Sequence, residues 1–362
     1  MKNFLNLCQA KQTNKEEIVI KKENNYSKLI TFFAIMAIIL SFSKPVLAVD
    51  DGARAYWKGR EGTQVVSFQH LRLHLQASGT QQFAPGQYIY ANADTEADIF
   101  IANWARHLTL LDRPSTISLA IAGGDIDVDV KARTPLKFVP KGITLGADFS
   151  QSSSGFADPS IQLDVNLFGT PRLKSGVDML NYEPTWTLDV ATMLAFPIGK
   201  YDDDKLVNMG LNRWFGRIAF PFKYHLGSFS PGYMTSIEII PSVWLFDEND
   251  DFIGRKLEND PMVQLEGHVT HDFTPNFYGS LDMLYRGGFQ SEIDDVEVGH
   301  AIDIGNLGFT VNYQATDNLA IRAGYSTNLF GDHELDNSLF RVQFVYAWHK
   351  ASENMKKLMS GH

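Results

Sequence analysis

Apolar and polar residues alternate with period two along most of the chain beyond residue 60. The alternation lasts about ten residues at a time before turn-forming residues break it, which is the pattern of a transmembrane β-strand. It is clearest near the C-terminus. Phe340, Val342, Phe344, Tyr346 and Trp348 share one face, with Arg341 and Gln343 on the other. Leu307, Phe309, Val311 and Tyr313 alternate with Gly308, Thr310, Asn312 and Gln314. A helix would gather its apolar residues at spacings of three and four. Extending the reading gives twelve strands, at 64–76, 97–110, 115–124, 159–168, 185–196, 213–226, 233–246, 262–273, 277–287, 301–314, 319–328 and 338–348. In the first and third the alternation slips, as a bulge would make it.

The connections fall into two classes. With the first strand running outward, the inner connections 111–114, 227–232, 274–276 and 315–318 are short. The outer connections 77–96, 125–157, 197–212, 247–261, 288–300 and 329–337 are longer. Short periplasmic turns and long external loops mark outer-membrane barrels. The inner connection 169–184 is too long for a tight turn and has room for a short helix. Aromatic residues fall near both strand ends, where membrane interfaces favour them. The expected fold is all-β, a transmembrane antiparallel β-barrel of about twelve strands. A soluble β-sandwich is the alternative, but so many long alternating segments exceed its usual pattern.

The N-terminus places this barrel in a compartment. Lys21, Lys22 and Lys28 precede the apolar run Leu29–Leu40, and small or modest side chains follow at Val46 and Ala48. That is a secretory signal, with cleavage expected after Ala48. No later run is a continuous apolar helix of spanning length, so membrane insertion requires a closed barrel. The expected organisation is a cleaved signal at 1–48, a short periplasmic segment at 49–63, the barrel at 64–348 and a polar tail at 349–362. The expected location is the outer membrane of a Gram-negative bacterium.

Composition removes several alternatives. Hydrophobic residues make up 44% of the chain and charged residues 20%, which excludes a disordered protein. The net charge of -10 argues against a nucleic-acid partner. The single cysteine, Cys8, lies in the leader and excludes a disulfide framework. The motifs GxSxG, HExxH, GxxxxGK[ST] and GxGxxG are absent, so no catalytic residue and no cofactor is assigned.

The candidate functional surface is the lumen. A charge on the lipid face of a barrel costs about 2–4 kcal/mol at the midplane. Charges within the strands are therefore expected inward: Arg217, Lys223, His225, Glu238, Glu266, His268, Asp272, Asp282, Arg286, Arg322 and Arg341. Trp244, Phe246 and Tyr278 are inward aromatics able to stack a ring. His70, Arg72 and His74 read as further lumen groups. Glu266 and His268 lie two apart, too few ligands for a zinc site. Residues 247–258 echo a calcium loop, but Phe252 stands where the sharp turn requires glycine. That segment reads as an acidic external loop, and no metal site is expected.

One block of the chain carries a family signature. It runs Pro197-Ile-Gly199-Lys-Tyr201, then Lys205-Leu-Val-Asn208-Met-Gly210-Leu-Asn212-Arg213-Trp214, with Gly155-Phe-Ala-Asp158-Pro159 upstream. In this the chain resembles the outer-membrane family named for the meta-pathway of phenol degradation, over about residues 60–350. The resemblance implies a barrel passing aromatic or hydrophobic compounds across the outer membrane. Turn chemistry alone also accounts for the block: Pro197 ends a strand, and Asn208, Gly210 and Asn212 suit turns. Arg213 should then face the lumen and Trp214 the lipid interface.

The expected function is a channel or transporter for small hydrophobic or aromatic compounds. The expected partners are outer-membrane lipid and lipopolysaccharide, such a substrate, and the barrel-insertion machinery during biogenesis. A general porin, or a non-transporting surface barrel, remains the alternative.

Overall fold

The computed structural model describes residues 51–349, apart from 78–80, 85–86, 90–91, 132–148, 206, 299–300 and 332–334. The segment 1–48 expected to be a signal and the tail beyond His349 lie outside the described residues, as does the middle of loop 125–157. Twelve antiparallel strands close into a barrel. They are β1 (Gln64–Ala77), β2 (Asn92–Leu110), β3 (Arg113–Lys131) and β4 (Phe149–Phe156 with Ser160–Phe168). Next come β5 (Trp186–Ala195), β6 (Phe215–Ala219 with Phe222–Leu226), β7 (Thr235–Phe246) and β8 (Met262–Thr274). The last are β9 (Phe277–Gly288), β10 (Ile302–Gln314), β11 (Leu319–Gly331) and β12 (Leu335–Trp348). β12 pairs with β1, setting Trp348 opposite Gln64, and so leaves no sheet edge in lipid.

The inner connections are tight where the sequence is. Leu111 and Asp112 join β2 to β3 with φ of 47° and 66°, as a primed hairpin turn requires. The longer inner connection holds a short helix, α1 (Gly176–Leu180). Ser175 caps it: its hydroxyl accepts from the Asp178 N–H, and the Asp178 carboxylate accepts from the Ser175 N–H. The Ser175 hydrogen bonds hold Asp178 below the usual carboxylate range.

Two strands exceed the expectation. β2 and β3 have 19 residues each, whereas a spanning strand needs about 9–11. Their outer ends, with that of β1, stand beyond the hydrocarbon, where the facing rule inverts. Leu71, Leu75, Ala97, Ile126 and Val128 are buried inside, while Arg72, Asp94, Glu96, Asp125, Asp127 and Asp129 are exposed outside. His70 reaches Asp98 at 2.7 Å, Arg72 reaches Glu96 at 3.2 Å and His74 reaches Asp94 at 3.3 Å, all on the outer wall. His70, Arg72 and His74 are therefore not lumen groups. Water rather than lipid bathes that part of the wall, so charge faces out and apolar residues face the covered interior.

β4 is interrupted. Gly123 of β3 pairs with Phe156 and Ala120 with Ser160, so Ile121 and Ala122 face three residues, Ala157 to Pro159. The extra residue flips the faces of the strand on either side. Asp158 ties the interruption to the loop after β5, accepting from Gly199 N (2.8 Å) and Leu211 N (2.7 Å). A Cβ on Gly199 would lie 2.7 Å from the Asp158 nitrogen, so this close approach needs glycine.

The interior is layered. Its outer part is apolar: Leu71, Leu75, Met262, Ile302, Ile304 and Leu339 of the wall meet Val207, Met209, Phe252, Leu257, Phe289 and Ile293 from the external loops. Each buried side chain of this size contributes about 1.5–3 kcal/mol. Phe252, at the would-be glycine position, is one of these anchors. The inner part of the barrel is ionic.

Two outcomes test this description. A cysteine at Arg72 should react with a membrane-impermeant maleimide on intact cells, and one at Leu71 should not. Asp158→Ala should lower the unfolding temperature and expose loop 196–214 to protease, because each N–H left unsatisfied costs about 1–3 kcal/mol. Asp158→Asn should lose less, since each backbone N–H uses a different carboxylate oxygen and the amide keeps one acceptor.

Candidate functional site

The strand parity that places the lumen charges also concentrates them. Arg217 and Lys223 of β6, Glu238 of β7, Glu266, His268 and Asp272 of β8, Asp282 of β9 and Arg341 of β12 are all buried. Tyr278 is buried beside them, and Trp244 donates to Gln264 at 3.2 Å. Arg286 also donates to Gln264 (2.9 Å), and Arg322 to Asn312 (3.0 Å). The structure places these side chains inside the barrel. His268 Nδ1 lies 2.8 Å from Asp282, whose other oxygen accepts from Thr310 at 2.6 Å.

These charges meet a strap of chain. Residues expected in the periplasm, from Asp51 to Lys58, lie within the lumen. Turns with positive φ at Gly52 and Arg54 fold the strap back on itself. Asp51 accepts from Arg217 at 2.6 Å, its N–H donates to Glu266 at 3.0 Å, and Arg217 also reaches Glu266 at 2.7 Å. Arg54 pairs with Asp272 at 2.7 Å and lies 4.0 Å over the Tyr278 ring. Lys58 sits between Asp164 and Asp189, and Lys223 bonds Asp189 and the Tyr56 carbonyl.

The physical reason is charge balance. Removing one partner of a buried ion pair costs about 3–5 kcal/mol, because the other charge is left uncompensated. Asp272, Asp164 and Asp189 find cations on the strap, and Arg217 finds the strap's Asp51. The strap was missed in the sequence, where the signal that could have marked it is Arg54-Ala-Tyr-Trp-Lys58, which mixes charges with two large aromatics. Asp164 and Asp189 were missed although each is a lone carboxylate between apolar neighbours on a strand, the same signal that marked Glu238.

The family-signature residues sit elsewhere, in the external loops. Asn208 folds the loop by accepting from Asp202 N (2.9 Å) and donating to Asp202 O (3.0 Å). Gly210 packs against Gly199, where a Cβ would lie 2.8 Å from the Gly199 carbonyl carbon. Pro197 follows the end of β5. Tyr201, Asn212 and Arg213 fasten this loop to the next: Tyr201 donates to Asp251 O (3.0 Å), Asn212 to Asn249 (3.1 Å) and Arg213 to Asn259 (2.6 Å). Burial pushes the Tyr201 hydroxyl up to about 12, so it stays a donor. Arg213 is buried inward and Trp214 exposed outward.

A cavity of about 610 Å³ indents the outer wall where β12, β1, β2, β3 and β4 run side by side. Phe68, Phe100, Ile121, Phe156 and Phe344 line it, and Gly123, Gly124 and Gly155 leave its floor without side chains. A Cβ on Gly124 would fall 2.0 Å from the Asp98 carbonyl oxygen, so the two strands approach too closely for any other residue. The interruption of β4 adjoins it. At its outer rim His70 stacks on Phe100, 4.6 Å between ring centres.

Residues 72–332 match the family model described as "Putative MetA-pathway of phenol degradation". Among solved structures, the chain is similar to an outer membrane channel from Pseudomonas putida F1, with 16% identity and a TM-score of 0.63, covering 83% of this chain and all of that one. A weaker likeness, TM-score 0.44 at 8% identity, is to the beta domain of the Bordetella autotransporter Brka, covering 79% of this chain and all of that one. At these identities the likenesses concern the fold. No curated protein matches the chain in sequence. Together with the closed barrel and its apolar outer wall, the family match establishes that the chain belongs to the outer-membrane β-barrel family of the phenol-degradation MetA pathway.

Proposed function

We propose that this barrel passes small hydrophobic or aromatic compounds toward the periplasm by diffusion, with no covalent chemistry. One observation carries the reading. The ionic part of the lumen is filled by a paired strap and the outer mouth by an apolar cluster, while a cavity of about 610 Å³ opens on the apolar outer wall. A sugar or ion cannot approach through lipid, but a solute that partitions into the membrane can. The cavity adjoins the interruption of β4 and is floored by glycines, where the wall is thinnest. Loop residues around Asp158 hold that interruption in place, and the strap must shift for passage to finish. The ring-stacking candidates Trp244 and Tyr278 lie inside, beyond this wall. β12 ends its apolar face on Trp348, which suits recognition by the barrel-insertion machinery.

A second reading has its own support. A lumen filled by buried ion pairs also suits a barrel that conducts nothing and serves the cell surface.

The mature protein in liposomes should take up labelled toluene and phenol in preference to glucose and small ions. Equal uptake of glucose would make it a general porin, and no uptake from a folded barrel would favour the second reading. Ala102→Trp, which fills the wall cavity without touching the lumen, should cut toluene uptake several-fold at unchanged stability. Arg217→Met should leave Asp51 and Glu266 without their shared cation, loosen the strap and raise ion current in planar bilayers.

A further inference from the structure

Trp57 is held differently from the rest of the strap, because the barrel grips both its edge and its face. Its indole Nε1 donates to Glu238 Oε1 at 3.0 Å, and Glu238 is fully buried. His225 of β6 meets the ring edge-on at 5.4 Å, and Phe229 of the β6–β7 turn lies at 5.6 Å. Phe229 is itself braced by His225 (4.9 Å) and by Tyr182 (5.4 Å) of the neighbouring connection. These groups form an aromatic enclosure with a carboxylate acceptor at one end.

The enclosure holds more polar capacity than Trp57 uses. A residual cavity of about 20 Å³, room for about one water, lies among Trp57, Thr187, Lys223, His225 and Phe229. Thr187 is 1% exposed, and its Oγ1 has no hydrogen-bond partner among the described residues. The same holds for His225 Nδ1. Buried polar atoms are nearly always satisfied, so two unsatisfied ones lining a single cavity mark a place for ligand atoms.

We propose that Glu238, His225, Phe229, Tyr182 and Thr187 form a binding site for a flat aromatic bearing an N–H or O–H donor, such as an indole or a phenol, and that Trp57 is its tethered occupant. The proposal rests on the reading of the barrel as a channel for aromatic compounds. It adds a donor requirement and a mechanism of release. A tethered ring competes at an effective concentration of about millimolar, so a free ring displaces it only when plentiful or better bonded. A free ligand able to bond Thr187 or His225 as well has that advantage. Displacing Trp57 removes one of the strap's anchors and so couples substrate arrival to loosening of the plug.

The test is titration of the mature Trp57→Ala protein with indole by calorimetry, using toluene as a ring without a donor. The variant should bind indole saturably and at least tenfold more tightly than toluene, while the wild type shows little saturable binding over the same range. Trp57→Phe, which keeps a tethered ring, should bind indole weakly. Saturating indole added to the wild type should also speed protease cleavage within residues 51–60, a readout that does not depend on any variant folding. A folded Trp57→Ala barrel that binds indole no better than the wild type, or no better than toluene, would overturn the proposal, as would strap cleavage unaffected by indole. Liposome uptake separates the two readings. Uptake of aromatics without indole binding by the variant removes this site and leaves the channel. Indole binding without uptake leaves the site and removes the channel.

Discussion

Charge has nowhere to go in a bilayer except inward, and inside a narrow barrel it must find a partner. That constraint organises this molecule. The strands can keep their lipid face apolar only by turning Arg217, Lys223, Glu238, Glu266 and Asp282 toward the lumen. Once there, those groups lie too far from bulk water to remain unpaired. The wall pairs some of them with one another, as His268 does with Asp282. The remainder are balanced by the strap, whose Asp51, Arg54 and Lys58 meet opposite charges on β4, β5, β6 and β8. The plug is thus part of what makes a charged lumen tolerable rather than a separate device added to a pore.

The same reasoning explains why the outer half looks different. Beyond the hydrocarbon the wall can show charge to water, and β1 does so with a basic row and β2 and β3 with acidic ones. The interior there must then be apolar, and the external loops complete it with Phe252, Phe289 and Leu257. A solute moving inward would leave an apolar layer for an ionic one. Aromatic faces and a hydrogen-bond acceptor stand together near the inner end of that path at Trp57, Glu238 and Tyr278.

Much of this was legible in the sequence because the barrel's period is two and its membrane face is strict. Strand number, the distinction between inner and outer connections, and the inward positions from Arg217 to Arg341 all follow from that rule. His70, Arg72 and His74 did not follow, because the rule assumes lipid outside, and nothing in a local pattern states where the lipid ends. The outer halves of β2 and β3 were lost for the same reason: Asp125-Ile-Asp-Val-Asp129 alternates perfectly well, but with the opposite sense. The strap escaped because it has no periodicity. Its structure is dictated by partners more than a hundred residues away, which only the closed barrel brings together.

The interruption of β4 shows how a local irregularity can be costly and still persist. It breaks the regular register beside Ile121 and Ala122, where Ala157 N–H still donates to the Ala122 carbonyl (2.9 Å), and places a carboxylate, Asp158, within the wall. Two backbone N–H groups from the loop after β5 offset that cost, and glycines at 199 and 210 allow the loop to come close enough to supply them. The residues of the signature block therefore act on the barrel wall as well as filling its outer interior, where Val207, Met209 and Arg213 are buried. They fix a loop, the loop fixes an interruption, and the interruption borders the apolar cavity on the outer wall. A sequence block that reads as turn chemistry therefore also shapes the wall, because here the turn supplies the two N–H groups that donate to Asp158.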